Sequence, residues 1–338
     1  MRYIIIGAGA VGGSVGGRLA EAGHDVVLVA RGAHAAALRS GGLRLHTPEG
    51  IGVHRVPVVE HPEELGELRA DDVLFLAVKT QDAVAALDAW GGRPVAGGGT
   101  AAETLPLLCA QNGVESERIA LRRFRHVYGV CVWLPASHTE PGAVSAPCAP
   151  WTGILHLGRY PAGADETAAR IAADLEKSRI LAPVVPDVLR WKYAKLLSNL
   201  ANAVEAATGP LTDGRAKDVY ARARAEGEAA FTAAGIAWAD EAEQREARGD
   251  RIRLRPLDGS PRGGGSSWQS LDRGTGSIEA DYLNGEISLL GRVHGVPTPV
   301  NDALRRVANT LARERRPAGS MTVAELAREV DASPHTDA

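Results

Sequence analysis

Residues 3–12 read Tyr3-Ile4-Ile5-Ile6-Gly7-Ala8-Gly9-Ala10-Val11-Gly12, an apolar run that enters three glycines at GxGxxG spacing. The spacing alone recurs by chance. Here a strand-like run precedes it and a helical pattern follows it, which is the context a dinucleotide-binding turn requires. Gly7 permits the tight turn, Gly9 lets the backbone approach a pyrophosphate, and Gly12 allows close helix-to-strand packing. The helix that opens there would point its N-terminus at the phosphates. The alternative, that the glycines only make a turn, is the weaker one at this position.

Further strand-like runs lie at Asp25 to Val29, Val73 to Val78 and His126 to Trp133, with helical patterns between several of them, the first from Gly13 to Ala22. Strands alternating with helices predict a parallel sheet. Beyond Pro183 and Pro186 the pattern turns helical, with apolar periodicity over Leu189 to Ala206, Ala216 to Ala234, Ile278 to His294 and Val300 to Arg315. The expected class is α/β, an N-terminal Rossmann-type parallel-sheet domain followed by an all-α C-terminal domain. The expected bounds are 1–186, a cofactor-binding domain, 187–330, a helical substrate and catalytic domain, and 331–338, a disordered tail. Residues 249–265, dense in arginine, glycine and proline, are expected to form a mobile loop, either a surface linker or a segment closing over a ligand.

Apolar residues make up 45% and charged residues 23% of the 338, the ordinary globular mixture. The net charge of −3, with no run of five basic residues, argues against nucleic acid as a partner. Cys109, Cys131 and Cys148 contain no CxxC pair, and the histidines show neither HxH nor HExxH spacing. Neither a disulfide framework nor a metal site is expected, and a reducing cytoplasm fits. No segment approaches the roughly 18 apolar residues of a membrane span, and the apolar start enters a glycine turn rather than a cleavage site, so no membrane partner is expected.

At the end of the second strand stands Arg31, where a chain selecting NAD would place an acidic residue for the ribose hydroxyls. A guanidinium there is either simply solvated or suited to a 2′-phosphate, which favours NADPH. Lys79 and Asn112 follow apolar runs and fall at the carboxyl ends of strands, the edge where open α/β sheets bind ligands. Lys195 and Asn199 lie four apart on one helix face, flanked by Lys192 and Asn202. Such a stripe is a solvated face or part of a site.

With these residues in hand, together with Gln111-Asn112-Gly113, Ser266-Ser267, the run Glu279 to Gly285 and the run His294 to Pro299, the chain resembles the ketopantoate reductase family from Met1 to about Arg315. The resemblance implies NADPH-dependent reduction of 2-dehydropantoate to (R)-pantoate, a step feeding pantothenate and coenzyme A synthesis. It implies Lys195 as general acid with Glu279 as its acidic partner. Asn112, Asn199 and Ser267 would then bind substrate, and Gly7 to Gly12, Arg31, Lys79 and Asn112 would contact cofactor. A homodimer is compatible with it. The chemistry agrees, since hydride addition to a ketone develops an alkoxide that a lysine ammonium can stabilise and protonate. Two positions depart from the family pattern: Ala203 stands where a second Asn is expected, with Asn202 beside it, and Trp268 follows Ser267. They leave open a reductase of another 2-oxo acid or ketone. A silent NADPH-binding regulator is the alternative of another class.

Overall fold

Apolar runs at the sheet strands and helical periodicity after them build two separate units in the computed structural model, which describes residues 1–257 and 264–332. The first unit holds 1–191 together with 240–257, and the second holds 192–239 and 264–332.

Unit one opens with β1 (Arg2–Ile6), α1 (Ala10–Glu21), β2 (Asp25–Val29), α2 (Gly32–Gly41), β3 (Leu43–Thr47), β4 (Gly50–His54) and β5 (Val58–Val59). It continues with β6 (Asp72–Leu76), α3 (Ala83–Gly91), α4 (Ala101–Thr104), β7 (Pro106–Cys109), α5 (Ser116–Leu121) and β8 (His126–Trp133). Then come β9 (Ser137–Glu140), β10 (Ala143–Ser145), β11 (Cys148–Pro150), β12 (Gly153–Arg159), α6 (Glu166–Lys177) and β13 (Ile180–Leu181).

Eight of these strands form the main sheet in the order β13-β12-β8-β7-β6-β1-β2-β5. From β5 to β8 all neighbours are parallel, and the winding reverses at β1. That order puts a ligand crevice at the carboxyl ends of β1 and β6. Every residue of β1 is buried. Tyr3 and Ile5 share a core with Val15 and Leu19 of α1 and Ile171 and Leu175 of α6, whereas Ile4 and Ile6 share the opposite core with Ala83, Leu87 and Trp90 of α3. A strand covered on both faces requires a continuous apolar run instead of alternation. At the far end of β1, Arg2 makes two 2.6 Å bonds to the Asp72 carboxylate of β6.

A smaller sheet, β4-β3-β10-β9, flanks this layer and is absent from the sequence-based expectation. Val144 of β10 comes so near α1 that a Cβ at Gly13 would sit 2.8 Å from its methyl.

After β13, α7 (Val188–Asn199) leads out of unit one, and α8 (Ala201–Thr208) and α9 (Gly214–Ala233) belong to unit two. The chain then returns to unit one with α10 (Glu241–Arg248) and β14 (Ile252–Leu254), which pairs with β11. The residues expected to be loop from 249 therefore include a strand, and 258–263 lie outside the described residues. Unit two finishes with α11 (Ser266–Asp272), α12 (Asn284–His294), α13 (Pro299–Arg313) and α14 (Val323–Asp331). The tail expected from 331 begins inside α14, and its residues from 333 lie outside the described ones.

Two helices differ from their predicted spans. The pattern from Leu189 to Ala206 is interrupted at Leu200, so it forms α7 and α8. Ile278 to His294 begins with a 3-10 turn, Glu279–Tyr282, and Leu283 at φ −114°, ψ −88° leaves helical geometry before α12 starts. Among the described residues no helix is long and apolar enough to cross a membrane, and no group of His, Cys, Asp and Glu could hold a metal ion.

Candidate active site

The glycine turn follows β1 directly. Gly7 has φ +101°, a conformation that side chains with a Cβ rarely adopt, and a Cβ there would lie 2.8 Å from the backbone nitrogen of Val78. Gly7 thus lets the turn abut the chain leaving β6 at the sheet's reversal point. A Cβ on Gly12 would collide with the Gly7 carbonyl, so α1 lies against β1 because position 12 has no side chain. At Gly9, by contrast, a Cβ would meet nothing within 4 Å. Gly9 is the N-cap of α1 and offers no capping side chain, leaving the first amides of the helix to an external acceptor. Open space in front of unsatisfied N–H groups is what a pyrophosphate fits.

Around this turn stand the other unit-one candidates. Arg31 is the N-cap of α2, exposed, and its side chain makes no hydrogen bond or ion pair with a described residue. Next to it the Gly32 N–H donates to Glu60, whose carboxylate is taken up by Arg39 at 2.8 Å. Lys79 is half-buried and caps the turn Thr80–Asp82 just beyond β6. Asn112 is half-buried three residues past β7, and its amide makes no hydrogen bond with a described residue. The structure therefore gathers Gly7 to Gly12, Arg31, Lys79 and Asn112 at the carboxyl ends of β1, β2, β6 and β7.

The remaining candidates lie in unit two. Lys195 and Asn199 are half-buried on α7, and the Asn199 Oδ1 is buried without a hydrogen-bond partner among the described residues. Such an acceptor is costly to leave unsatisfied, by about 1–3 kcal/mol, unless a ligand supplies a donor. Ser267 is 3% exposed in the first turn of α11, and Glu279 is 4% exposed in the 3-10 turn before α12.

The two departures have distinct surroundings. Ala203 is buried, whereas Asn202 directs Nδ2 to the Ser266 Oγ at 3.4 Å, beside Ser267. The interruption at Leu200 precedes this turn of helix. Trp268 lies with its ring near the backbone of Gly264 and Gly319, where added Cβ atoms would be 2.5 Å and 3.3 Å away. Glu205, which no motif signals, accepts from the Gly265 N–H at 2.9 Å and holds the start of α11.

The motif residues around Glu279 explain how that turn is held. Asn284 Nδ2 donates to Asn301 Oδ1 at 3.0 Å, and Asn301 Nδ2 donates to the Ala223 carbonyl and the Glu226 carboxylate. Glu226 also accepts from the backbone N–H groups of Val300 and Asn301, at the start of α13. Burial nonetheless pushes its carboxyl above the usual range. Asp281 is tied to Arg305 and to Asn309 of α13.

A sheet of this strand order with a glycine turn at its reversal point, joined to a helical unit, is the architecture of a Rossmann-type oxidoreductase. The family model described as ketopantoate reductase PanE/ApbA matches residues 3–160, and the model of that family's C-terminal part matches residues 187–312. The chain belongs to the ketopantoate reductase family, and it is an oxidoreductase. The 2-dehydropantoate 2-reductase of Mesorhizobium japonicum is 29% identical, with 93% of this chain and 99% of that one covered. The enzyme of the same description from Pyrococcus abyssi is 28% identical, covering 60% of this chain and 62% of that one, less than two thirds of its length. The PanE/ApbA family ketopantoate reductase of Ralstonia eutropha JMP134 superposes with a TM-score of 0.76 at 27% identity, over 94% of this chain and 100% of that one.

Proposed function

We propose that this oxidoreductase reduces 2-dehydropantoate to (R)-pantoate with NADPH, as a cytoplasmic enzyme. The observation that carries the cofactor choice is Arg31, an exposed guanidinium with no partner among the described residues, at the end of β2. A planar cation there binds a 2′-phosphate through charge-assisted, bidentate hydrogen bonds, which are stronger than any it can make to a neutral ribose hydroxyl. Within the turn Gly7 to Gly12, the Gly7 and Ala8 N–H groups are donated to the Val29 carbonyl, so the amides from Gly9 onward receive the pyrophosphate, and Lys79 adds a positive charge at the same sheet edge.

When bound at the glycine turn, the reduced nicotinamide would supply the hydride that the keto carbon accepts. Lys195 stabilises the keto oxygen as it gains the electron pair, donates a proton to it to complete the 2-hydroxy acid, and recovers a proton from solvent. Glu279 is the acidic partner of that lysine in this reading. Asn199, Ser267 and Asn112 orient the substrate by hydrogen bonds without adding net charge. The buried, unsatisfied Asn199 Oδ1 supports a hydroxyl-bearing substrate.

A second reading, reduction of a different 2-oxo acid by the same residues, draws support from Ala203 and from Asn202 held at Ser266. Nicotinamide absorbance, followed with 2-dehydropantoate, other 2-oxo acids, NADPH and NADH, separates the two. Saturable turnover of 2-dehydropantoate with NADPH supports the first. Turnover only of another keto acid selects the second, and binding without turnover rejects both.

A further inference from the structure

His34 lies on α2, three residues after Arg31, and both of its ring nitrogens are engaged. Nε2 is 2.8 Å from the carbonyl oxygen of Ala8, inside the glycine turn. Nδ1 is 2.9 Å from the backbone nitrogen of Gly142, in the turn between β9 and β10. An amide N–H can only donate, so Nδ1 must offer its lone pair and the ring's hydrogen must reside on Nε2, donating to Ala8. The two partners select one neutral tautomer. Burial also pushes the ring's pKa down, in the same sense.

The Ala8 oxygen and the Gly9 amide hydrogen belong to one planar peptide group, and in a trans peptide they point in opposite directions. A donor that fixes the oxygen therefore fixes the direction of the Gly9 N–H, the first amide at the open side of the turn. The other anchor is close-packed, since a Cβ on Gly142 would lie 3.0 Å from the Ala37 Cβ of α2. His138 of β9 adds a ring contact to His34, with 4.2 Å between centroids.

We propose that His34 is a positioning residue for the cofactor: by bridging the Ala8 carbonyl and the Gly142 amide it locks the Gly9 peptide in the orientation that receives the pyrophosphate, and couples that turn to the helix bearing Arg31. This rests on the reading that Gly7 to Gly12 hold the dinucleotide. It assigns the small sheet a part in cofactor binding, through one backbone amide.

The test is NADPH binding by fluorescence to the full-length protein, with His34→Leu, which removes both bonds, and His34→Gln, which retains an N–H donor toward Ala8. His34→Leu is expected to weaken NADPH binding about 10-fold, and His34→Gln by no more than about 3-fold. In steady state the loss falls on the KM for NADPH rather than on kcat. Nitrogen-15 spectra of the unaltered protein are expected to show the His34 proton on Nε2, a readout independent of whether the leucine variant folds. Wild-type affinity in His34→Leu, equal losses in both variants, or a proton on Nδ1 would overturn the proposal. No NADPH binding by the unaltered protein would remove the cofactor reading along with it.

Discussion

Asn284 and Asn301 share a hydrogen bond in the interior of unit two, and through it the motif that follows Glu279 is fastened to the first turn of α13. Asn301 is fully buried and also serves Ala223 and Glu226. Asn301→Leu keeps the volume but leaves a carbonyl, an amide and a carboxylate without this partner. A loss of about 3 kcal/mol in unfolding free energy is expected from urea denaturation. An unchanged midpoint would show that the network contributes nothing net.

Lys195→Ala removes the proposed proton donor and leaves the glycine turn untouched. It is expected to lower kcat by about 10²- to 10⁴-fold. NADPH affinity, read by fluorescence titration, should stay within about twofold because the dinucleotide's contacts lie elsewhere. Near-normal turnover in this variant would remove Lys195 from the mechanism.

Arg31→Ala separates the two nicotinamide cofactors. With a charge-assisted bond to the 2′-phosphate lost, kcat/KM for NADPH should fall about 10- to 100-fold, while that for NADH stays within about twofold. Equal losses with both cofactors would mean that Arg31 acts on something other than the phosphate.

His156 gives unit one a pH dependence of stability. Its ring is 2% exposed, stacks on Trp191 at 4.1 Å and meets the edge of Trp133 at 4.8 Å. Burial pushes its pKa from 6.5 down to about 4. As pH falls below 6.5 the unfolded chain takes up this proton while the folded chain resists until about 4. The stabilisation is therefore complete above that window and lost through it. The group's share of the loss is about 3 kcal/mol. Denaturation midpoints at neutral pH and near pH 4 should differ more for the wild type than for His156→Phe, and equal differences would refute the assignment.

Parts of this molecule are legible in the chain because they are local. The GxGxxG turn is contiguous, and β1, β2, β6 and β8 run largely apolar after a polar first residue because both faces are covered. The small sheet leaves no such trace. β3 alternates Leu-Arg-Leu-His-Thr, β4 is mostly exposed, and the partner that completes the sheet, β10, comes from far along the chain. Asn202 illustrates the same limit in the site. Its contact with Ser266 follows an interruption at Leu200, where neither proline nor glycine announces one. His34 and Glu205 bind backbone atoms distant in sequence, and no spacing rule signals such bonds. The motif after Glu279 is recognisable as a pattern, but its physical role emerges only with Asn301 and Glu226 beside it.

The return of α10 and β14 to unit one bears on how the chain is made. Arg190 and Glu243 form paired 2.6 Å bonds, Arg248 covers the Trp133 ring, and β14 completes the edge left open by β11. A ribosome that has released residues 1–191 has released the eight-stranded sheet before the segment that covers Trp133 and Ile154. The helices α8 and α9 emerge before Ala247 and Ile252, which pack against Trp133 and Ile154. Truncation after α7 would thus bare the apolar surface that Ala247 and Ile252 cover.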